Sequence, residues 1–303
     1  MPESATTPEP DWLPDGFEIR TADTNGVRLS AALGGRGPLV VLLHGWPQTG
    51  RAWAEVMPAL AEHYTLLVPD LRGTGASDRP ADGYDKRNQV DDLRGTIDAL
   101  GLTGPVIVVG HDIGSMVAFA WALHHPDDVT AAVLVDAFLP GVDLEESMNV
   151  VTGGSWHFGF FMAPHFPEML VDGHELEFFT TTFRALSAEQ VFTDEHLAFY
   201  AKAYEGRDRL RGGFGHYRTL LEDGRENRAA LATGQMTVPV LSIGGRGSVG
   251  TRTTEALEPH VERLTGLVAP TGHFVAEEAP EWFVRNVREF LAATTDTVAA
   301  GRS

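Results

Sequence analysis

The sequence predicts an α/β fold: a mostly parallel sheet flanked by helices, with a helical cap inserted after the sixth strand. Three observations carry this. Short apolar runs bounded by Gly, Pro or Asp recur along the chain, segments of helical length separate most of them, and the alternation stops between about residues 140 and 235. In that interval aromatic-rich helical pieces take over, among them Trp156, Phe158, Phe160, Phe161, Phe178, Phe179, Phe183, Tyr200, Tyr204 and Phe214. With 303 residues, 43% of them hydrophobic and 21% charged, the chain can bury one large core and carry an inserted subdomain.

Taken in order, residues 1–14 are rich in Pro, Glu and Thr and read as a flexible arm. Phe17 to Leu33 reads as an antiparallel hairpin turning at Thr24-Asn25-Gly26. The runs at 38–43, 65–68, 105–109, 132–135 and 239–243 are apolar at successive positions, as expected of strands covered on both faces. A last strand-like run follows at 264–268. Helices are expected at about 52–62, 86–100, 113–125, 252–261 and 276–293. The core is therefore assigned to 15–139 and 236–295, the cap to 140–235, and a flexible tail to 296–303.

Lys and Arg number 23 against 42 Asp and Glu, a net charge of −19. Such a surface repels phosphate backbones and anionic lipid, so nucleic acid and membranes are poor partners. No apolar run reaches the roughly 20 residues of a membrane span, and residues 1–10 lack a cationic, apolar leader, so a cytoplasmic location is expected. Without cysteine there is no disulfide, thiolate metal site or Cys nucleophile. No metal-binding spacing and no Gly-x-Gly-x-x-Gly after the first strand occur, so no cofactor or metal is expected. A homodimer is compatible with the sequence.

The most informative stretch is Val109-Gly110-His111-Asp112-Ile113-Gly114-Ser115, where a strand ends and a helix begins. A strand-to-helix turn this sharp needs small residues two before and two after its apex, and it holds the apex side chain out at the helix N-terminus. Asp112 at that apex could equally be a plain N-cap. Two further motifs accompany it: His44-Gly45-Trp46-Pro47 after the third strand, and His273 in Thr271-Gly272-His273-Phe274 after the last. With these motifs, residues 15–295 resemble the α/β-hydrolase fold, and the pair Gly-His-Asp and His-Gly-Trp-Pro resembles its epoxide hydrolase and dehalogenase branch. The resemblance implies a nucleophilic Asp112, a general base His273, and an oxyanion hole from the backbone N–H groups of Trp46 and Ile113. A carboxylate attacks an ester poorly, but it displaces well at saturated carbon, leaving an alkyl ester that water can hydrolyse.

Many relatives orient the base with an acid after the seventh strand, but residues 243–250 contain none, so Asp136 after the sixth strand is the expected orienting acid. Its alternative role is to cap the loop into the insertion. Glu277 and Glu278 read instead as the solvated first turn of the final helix. By the same resemblance Tyr217 and His157 in the cap are the expected ring-opening donors; otherwise they pack the cap. That combination most resembles the Cif-like epoxide hydrolases. It implies an enzyme converting a small to medium apolar epoxide and water to a diol. A haloacid dehalogenase would place Arg where this chain has Ile113 and Met116, and Trp where it has Phe158. A haloalkane dehalogenase would need a halide-binding Trp at Ile113. A non-catalytic binding or signalling protein of this fold is the alternative of another class. His111 is expected to support the elbow, His124 and His125 to end its helix, and His63, His165, His174, His196 and His260 to lie at the surface.

Overall fold

The computed structural model describes residues 10–300. Strands β1 (Phe17–Thr24) and β2 (Val27–Gly35) form the expected hairpin. Its two-residue turn demands positive φ at both positions, which Asn25 (44°) and Gly26 (76°) adopt at low cost. Then come β3 (Leu39–Leu43), β4 (Thr65–Pro69), β5 (Val106–His111), β6 (Val129–Val135), β7 (Val240–Gly245) and β8 (Leu264–Ala269). The eight strands lie in the order β1-β2-β4-β3-β5-β6-β7-β8, antiparallel up to the β2–β4 contact and parallel beyond it. All residues of β3, β5 and β7 are buried, as their unbroken apolar sequences require.

The chain leaves β3 toward β4 on one side and leaves β5 toward β6 on the other. Between such strands the connections diverge and open a crevice at the carboxyl ends, where sites of α/β sheets form. Leu43 pairs with Gly110 at that point, so the His-Gly-Trp-Pro loop and the Asp112 turn emerge side by side.

Helices α1 (Met57–Ala61), α2 (Lys86–Ala99) and α3 (Ile113–His124) precede β6. Between β6 and β7 lie α4 (Leu144–Ser147), α5 (His157–Met162), α6 (Phe166–Val171), α7 (Glu175–Leu186), α8 (Asp194–Ala203), α9 (Arg207–Gly215) and α10 (Leu220–Leu231). The chain ends with α11 (Arg252–Leu257), α12 (Val275–Glu278) and α13 (Pro280–Ala300). One apolar cluster joins α2, α3 and the helices after β6 through residues such as Val90, Val117, Phe161 and Phe179; the other packs Trp53, Met57, Phe283 and Val287 on the opposite side of the sheet.

Several boundaries differ from the sequence reading. The helix expected at 52–62 is a short 3₁₀ turn, Gly50–Trp53, followed by α1, which starts afresh with Pro58 in its first turn. Pro280 likewise splits the expected 276–293 helix into α12 and α13. Helix α11 stops at Leu257, short of the expected 261, with Pro259 just beyond. Helix α13 runs to Ala300, into the segment read as tail, and Trp12 and Leu13 of the expected arm pack on the second core cluster. Residues 1–9 and 301–303 of those two segments lie outside the described residues.

A buried ion pair ties the inserted helices to the core. Lys86 Nζ donates to Asp223 Oδ2 (3.1 Å), the His216 carbonyl (2.8 Å) and Thr219 Oγ1 (3.2 Å), and the Lys86 N–H donates to Asp223 Oδ1 (2.9 Å). The side chains of Lys86 and Asp223 are 1% and 2% exposed, so neither charge can fall back on water if the other is removed. We expect Asp223→Ala to lower unfolding free energy by about 3–5 kcal/mol, measured by denaturant titration. A loss below about 1 kcal/mol, the range of an exposed pair, would show that this pair does not hold the insertion to the core.

Candidate active site

The turn after β5 is built by exclusion. A Cβ on Gly110 would meet the backbone of Gly114, and one on Gly114 would collide with the Leu43 carbonyl, so only glycines let the strand, helix and neighbouring strand approach. Ser115 Oγ donates to Gly110 O (2.6 Å) and accepts the Val135 N–H (2.8 Å), stitching the turn to β6. At the apex Asp112 takes φ 51° and ψ −120°, a strained conformation for a residue with a Cβ. Its Oδ1 receives two backbone N–H groups, from Ile113 (2.6 Å) and Trp46 (3.1 Å). The two predicted oxyanion donors thus converge on one oxygen of the nucleophile candidate.

His273 lies between two carboxylates. Its Nδ1 is 2.6 Å from Asp136 Oδ2, and its Nε2 is 3.5 Å from Asp112 Oδ2. Asp136 is fully buried, sits at φ 44°, and is fixed by N–H groups of Gly245 (2.6 Å) and Val249 (3.3 Å) from the loop after β7. The acid-free β7 loop therefore donates to the acid supplied by β6. Burial alone would lower the pKa of His273, but its contacts with Asp112 and Asp136 override that and raise it to about 10. For Asp112, burial acts upward, and His273 together with the Trp46 N–H holds the carboxyl well below its usual range.

Above these residues opens a cavity of about 640 Å³, walled by Trp46, Met116, Phe158, Phe161, Phe178 and Leu186. Tyr217 and His157 both line it, their rings 6.3 Å apart and nearly perpendicular. Among the described residues neither side chain has a hydrogen-bond partner, so their donors are available to a ligand. Burial lowers His157 to about 4, so it meets a ligand as a neutral imidazole, and burial raises Tyr217 well above its usual value, so it stays a phenol. No group of three or more His, Cys, Asp or Glu among the described residues could hold a metal ion.

A model of the alpha/beta hydrolase fold matches residues 38–280. The chain belongs to that family. The hydrolase is 34% identical to a soluble epoxide hydrolase of Corynebacterium sp. (strain C12) over 88% of this chain and 95% of that one. It is also 30% identical to a fluoroacetate dehalogenase of Burkholderia sp, over 92% and 95%. Among solved structures it resembles the Cif epoxide hydrolase from Acinetobacter nosocomialis, with a TM-score of 0.84 and 26% identity over 92% of this chain and 90% of that one. No helix among the described residues is long and apolar enough to cross a membrane.

The hydrolase departs from the sequence reading at Glu277 and Glu278. Glu277 and Glu278 are not a solvated helix turn. Glu278 accepts the N–H groups of Gly272 (2.9 Å), Phe274 (3.0 Å) and Ala188 (2.9 Å), and Glu277 lies within hydrogen-bond distance of Tyr200 and Gln48, because α8 folds over this turn. The cavity is not wholly apolar: Glu177, Thr181 and Arg252 lie on its wall, the guanidinium stacked on Phe138 at 4.7 Å. His174, exposed as expected, also lines it. No local motif links Arg252 to Phe138 or Gln48 to Glu277; tertiary packing brings each pair together.

Gly114→Ala should cost about 1–3 kcal/mol of stability by overpacking and should abolish most activity, since relief requires the apex to move. A variant with wild-type melting temperature and turnover would show that the elbow does not depend on this approach.

Proposed function

We propose that the hydrolase opens epoxides to vicinal diols through an alkyl ester on Asp112. The carrying observation is that Asp112 points one oxygen at two backbone N–H donors while its other oxygen stands beside His273. A nucleophile that binds its own oxyanion donors is suited to an intermediate whose carbonyl belongs to the enzyme. Asp112 Oδ2 attacks an epoxide carbon, the ring C–O bond breaks, and the alkoxide takes the phenolic proton of Tyr217 while His157 donates a hydrogen bond. The tyrosinate regains a proton from the His273 imidazolium. Alkylation has by then made Asp112 neutral, which removes one of the two carboxylates that held the imidazolium proton, so His273 becomes free to act as a base.

Water then attacks the carbonyl carbon of the ester and gives a proton to His273, oriented by Asp136. The oxyanion on Oδ1 is held by the Trp46 and Ile113 N–H groups. Collapse releases the diol, whose leaving oxygen takes the carboxyl proton, and restores the Asp112 carboxylate beside the imidazolium. The cavity's volume and aromatic wall suit an apolar epoxide of small to medium size. The dehalogenase reading shares the nucleophile and base, but the buried positions one and four residues after Asp112 are Ile113 and Met116, which cannot pair a haloacid carboxylate.

Three results test this reading. On a panel of epoxides, fluoroacetate and haloalkanes, turnover is expected only with epoxides and is expected to vanish in folded Asp112→Asn; halide release from fluoroacetate by the wild type would favour the dehalogenase. Tyr217→Phe should slow single-turnover ring opening on the order of 100-fold. The double change with His157→Phe should abolish it, and equal rates would assign ring opening to other groups. The pH dependence should split: kcat falls as pH drops, because a protonated imidazole in the alkyl-enzyme cannot accept a proton from water. kcat/KM stays flat there, because the free enzyme already carries protonated His273 and an ionised Asp112. A matching acid limb in both parameters near the ordinary imidazole value of about 6.5 would contradict the scheme.

A further inference from the structure

Behind the base a chain of hydrogen bonds runs away from the cavity. His111 Nε2 lies 2.9 Å from the His273 carbonyl, and His111 Nδ1 lies 2.8 Å from Gln48 Oε1. Gln48 Nε2 lies 2.5 Å from Glu277 Oε2, and Tyr200 donates its hydroxyl to Glu277 Oε1 at 2.8 Å. Tyr204 donates to the Gln48 backbone carbonyl (2.8 Å) and holds the residue in place.

The proton count of this chain is fixed from one end. A peptide carbonyl only accepts, so His111 Nε2 must carry a hydrogen. If His111 Nδ1 also carries one, an imidazolium donates to Gln48 Oε1, and Gln48 Nε2 donates to an ionised Glu277. If Nδ1 is bare, Gln48 must present Nε2 to it, which leaves Gln48 Oε1 facing Glu277, and that contact forms only when Glu277 is protonated. A neutral His111 with an ionised Glu277 would set two acceptors face to face in either amide orientation. The chain therefore holds one proton more than a neutral imidazole and a carboxylate, and the two arrangements differ by where it sits and by a half-turn of the Gln48 amide.

The surroundings decide between them. The His111 ring is 4.6 Å from the His273 ring and 6.0 Å from that of Phe274, so an imidazolium there would face the one on His273. Asp112 and Asp136 also face His111, but their oxygens are engaged by backbone N–H groups and by His273. At the other end Glu277 faces the carboxylate of Glu278, which favours a proton, and the cation of Arg51, which opposes it. We propose that Glu277 holds the proton in the resting enzyme and that the Gln48 amide makes a half-turn from the orientation with Oε1 at His111, bringing Nε2 to His111, so that a neutral His111 stands behind the base. Burial pushes Glu277 up to about 8, and burial with the His273 charge pushes His111 down to about 4, in keeping with this arrangement. Gln48 and Glu277 are positioning residues, and their effect on turnover rests on the reading of His273 as the base: a cation at His111 would make that imidazole a weaker one.

The test has one arm that needs no substrate. Infrared difference spectra of the full chain at neutral pH, wild type minus Glu277→Gln, are expected to show the carbonyl band of a hydrogen-bonded protonated carboxyl in the wild type alone. No such band overturns the assignment whatever the enzyme's reaction. Should Glu277→Gln fail to fold, carboxyl-¹³C glutamate in the wild type is expected to show one resonance titrating far above the usual glutamate value of about 4.3, and its absence is equally decisive. In the kinetic arm, Glu277→Gln is expected to keep the acid limb of kcat where the wild type has it, since an amide replaces a neutral acid. An upward shift of about one unit would mean that an ionised Glu277 had been holding His111 cationic, which overturns the proposal.

Discussion

A carboxylate can act as a nucleophile only if it is kept ionised, kept in place and kept out of hydrogen bonds that would blunt both of its oxygens. For Asp112 the turn after β5, the Trp46 N–H and His273 meet these demands together. Gly110 and Gly114 remove the atoms that would forbid the crossing, so Asp112 is carried at positive φ with Oδ1 on two N–H groups and Oδ2 left to the cavity and His273. The strain of that backbone is held by the stitching of Ser115 to β6 and by the parallel pairing of β3 with β5. Displacing this apex would misalign Asp112, its two N–H donors and His273 together.

Electrostatics are organised around the same point. His273 is the cation between two buried carboxylates, and the alkylation proposed for Asp112 would unbalance that trio in the direction the next step needs. Asp136 is positioned by the N–H groups of Gly245 and Val249, so it has little freedom to follow the imidazole. Behind them the His111, Gln48 and Glu277 chain hydrogen-bonds His273 through its backbone carbonyl, with the His111 ring 4.6 Å from the His273 ring, and in the proposed scheme it acts on His273 through charge rather than contact with the reacting atoms.

The α/β-hydrolase fold is legible in the sequence because its strands are continuous apolar runs and its connections are short. Asp112 and His273 stand out in the sequence because each sits at the end of a strand with a distinctive neighbourhood, and Asp136 does so because the alternative loop lacks an acid. The structure brings the three together. Glu277 misleads for a physical reason: its position after Phe274 looks like an exposed helix start, and only α8, which lies far earlier in the chain, encloses it. The partnerships of Lys86 with Asp223 and of Gln48 with Glu277 join residues 137 and 229 positions apart, and nothing local to either residue announces the other. Proline positions settle where helices begin, which the apolar periodicity alone blurs at α1 and α13.

The central claim is that Asp112 itself becomes esterified. His273→Ala, which keeps the nucleophile and loses the base, should be incubated with an epoxide that the wild type turns over and then analysed by intact-protein mass spectrometry and peptide mapping. The account predicts a stable adduct that adds the full mass of the epoxide, since ring opening ejects no atom, located on the peptide containing Asp112. A folded variant that forms no adduct, or carries it elsewhere, would contradict it.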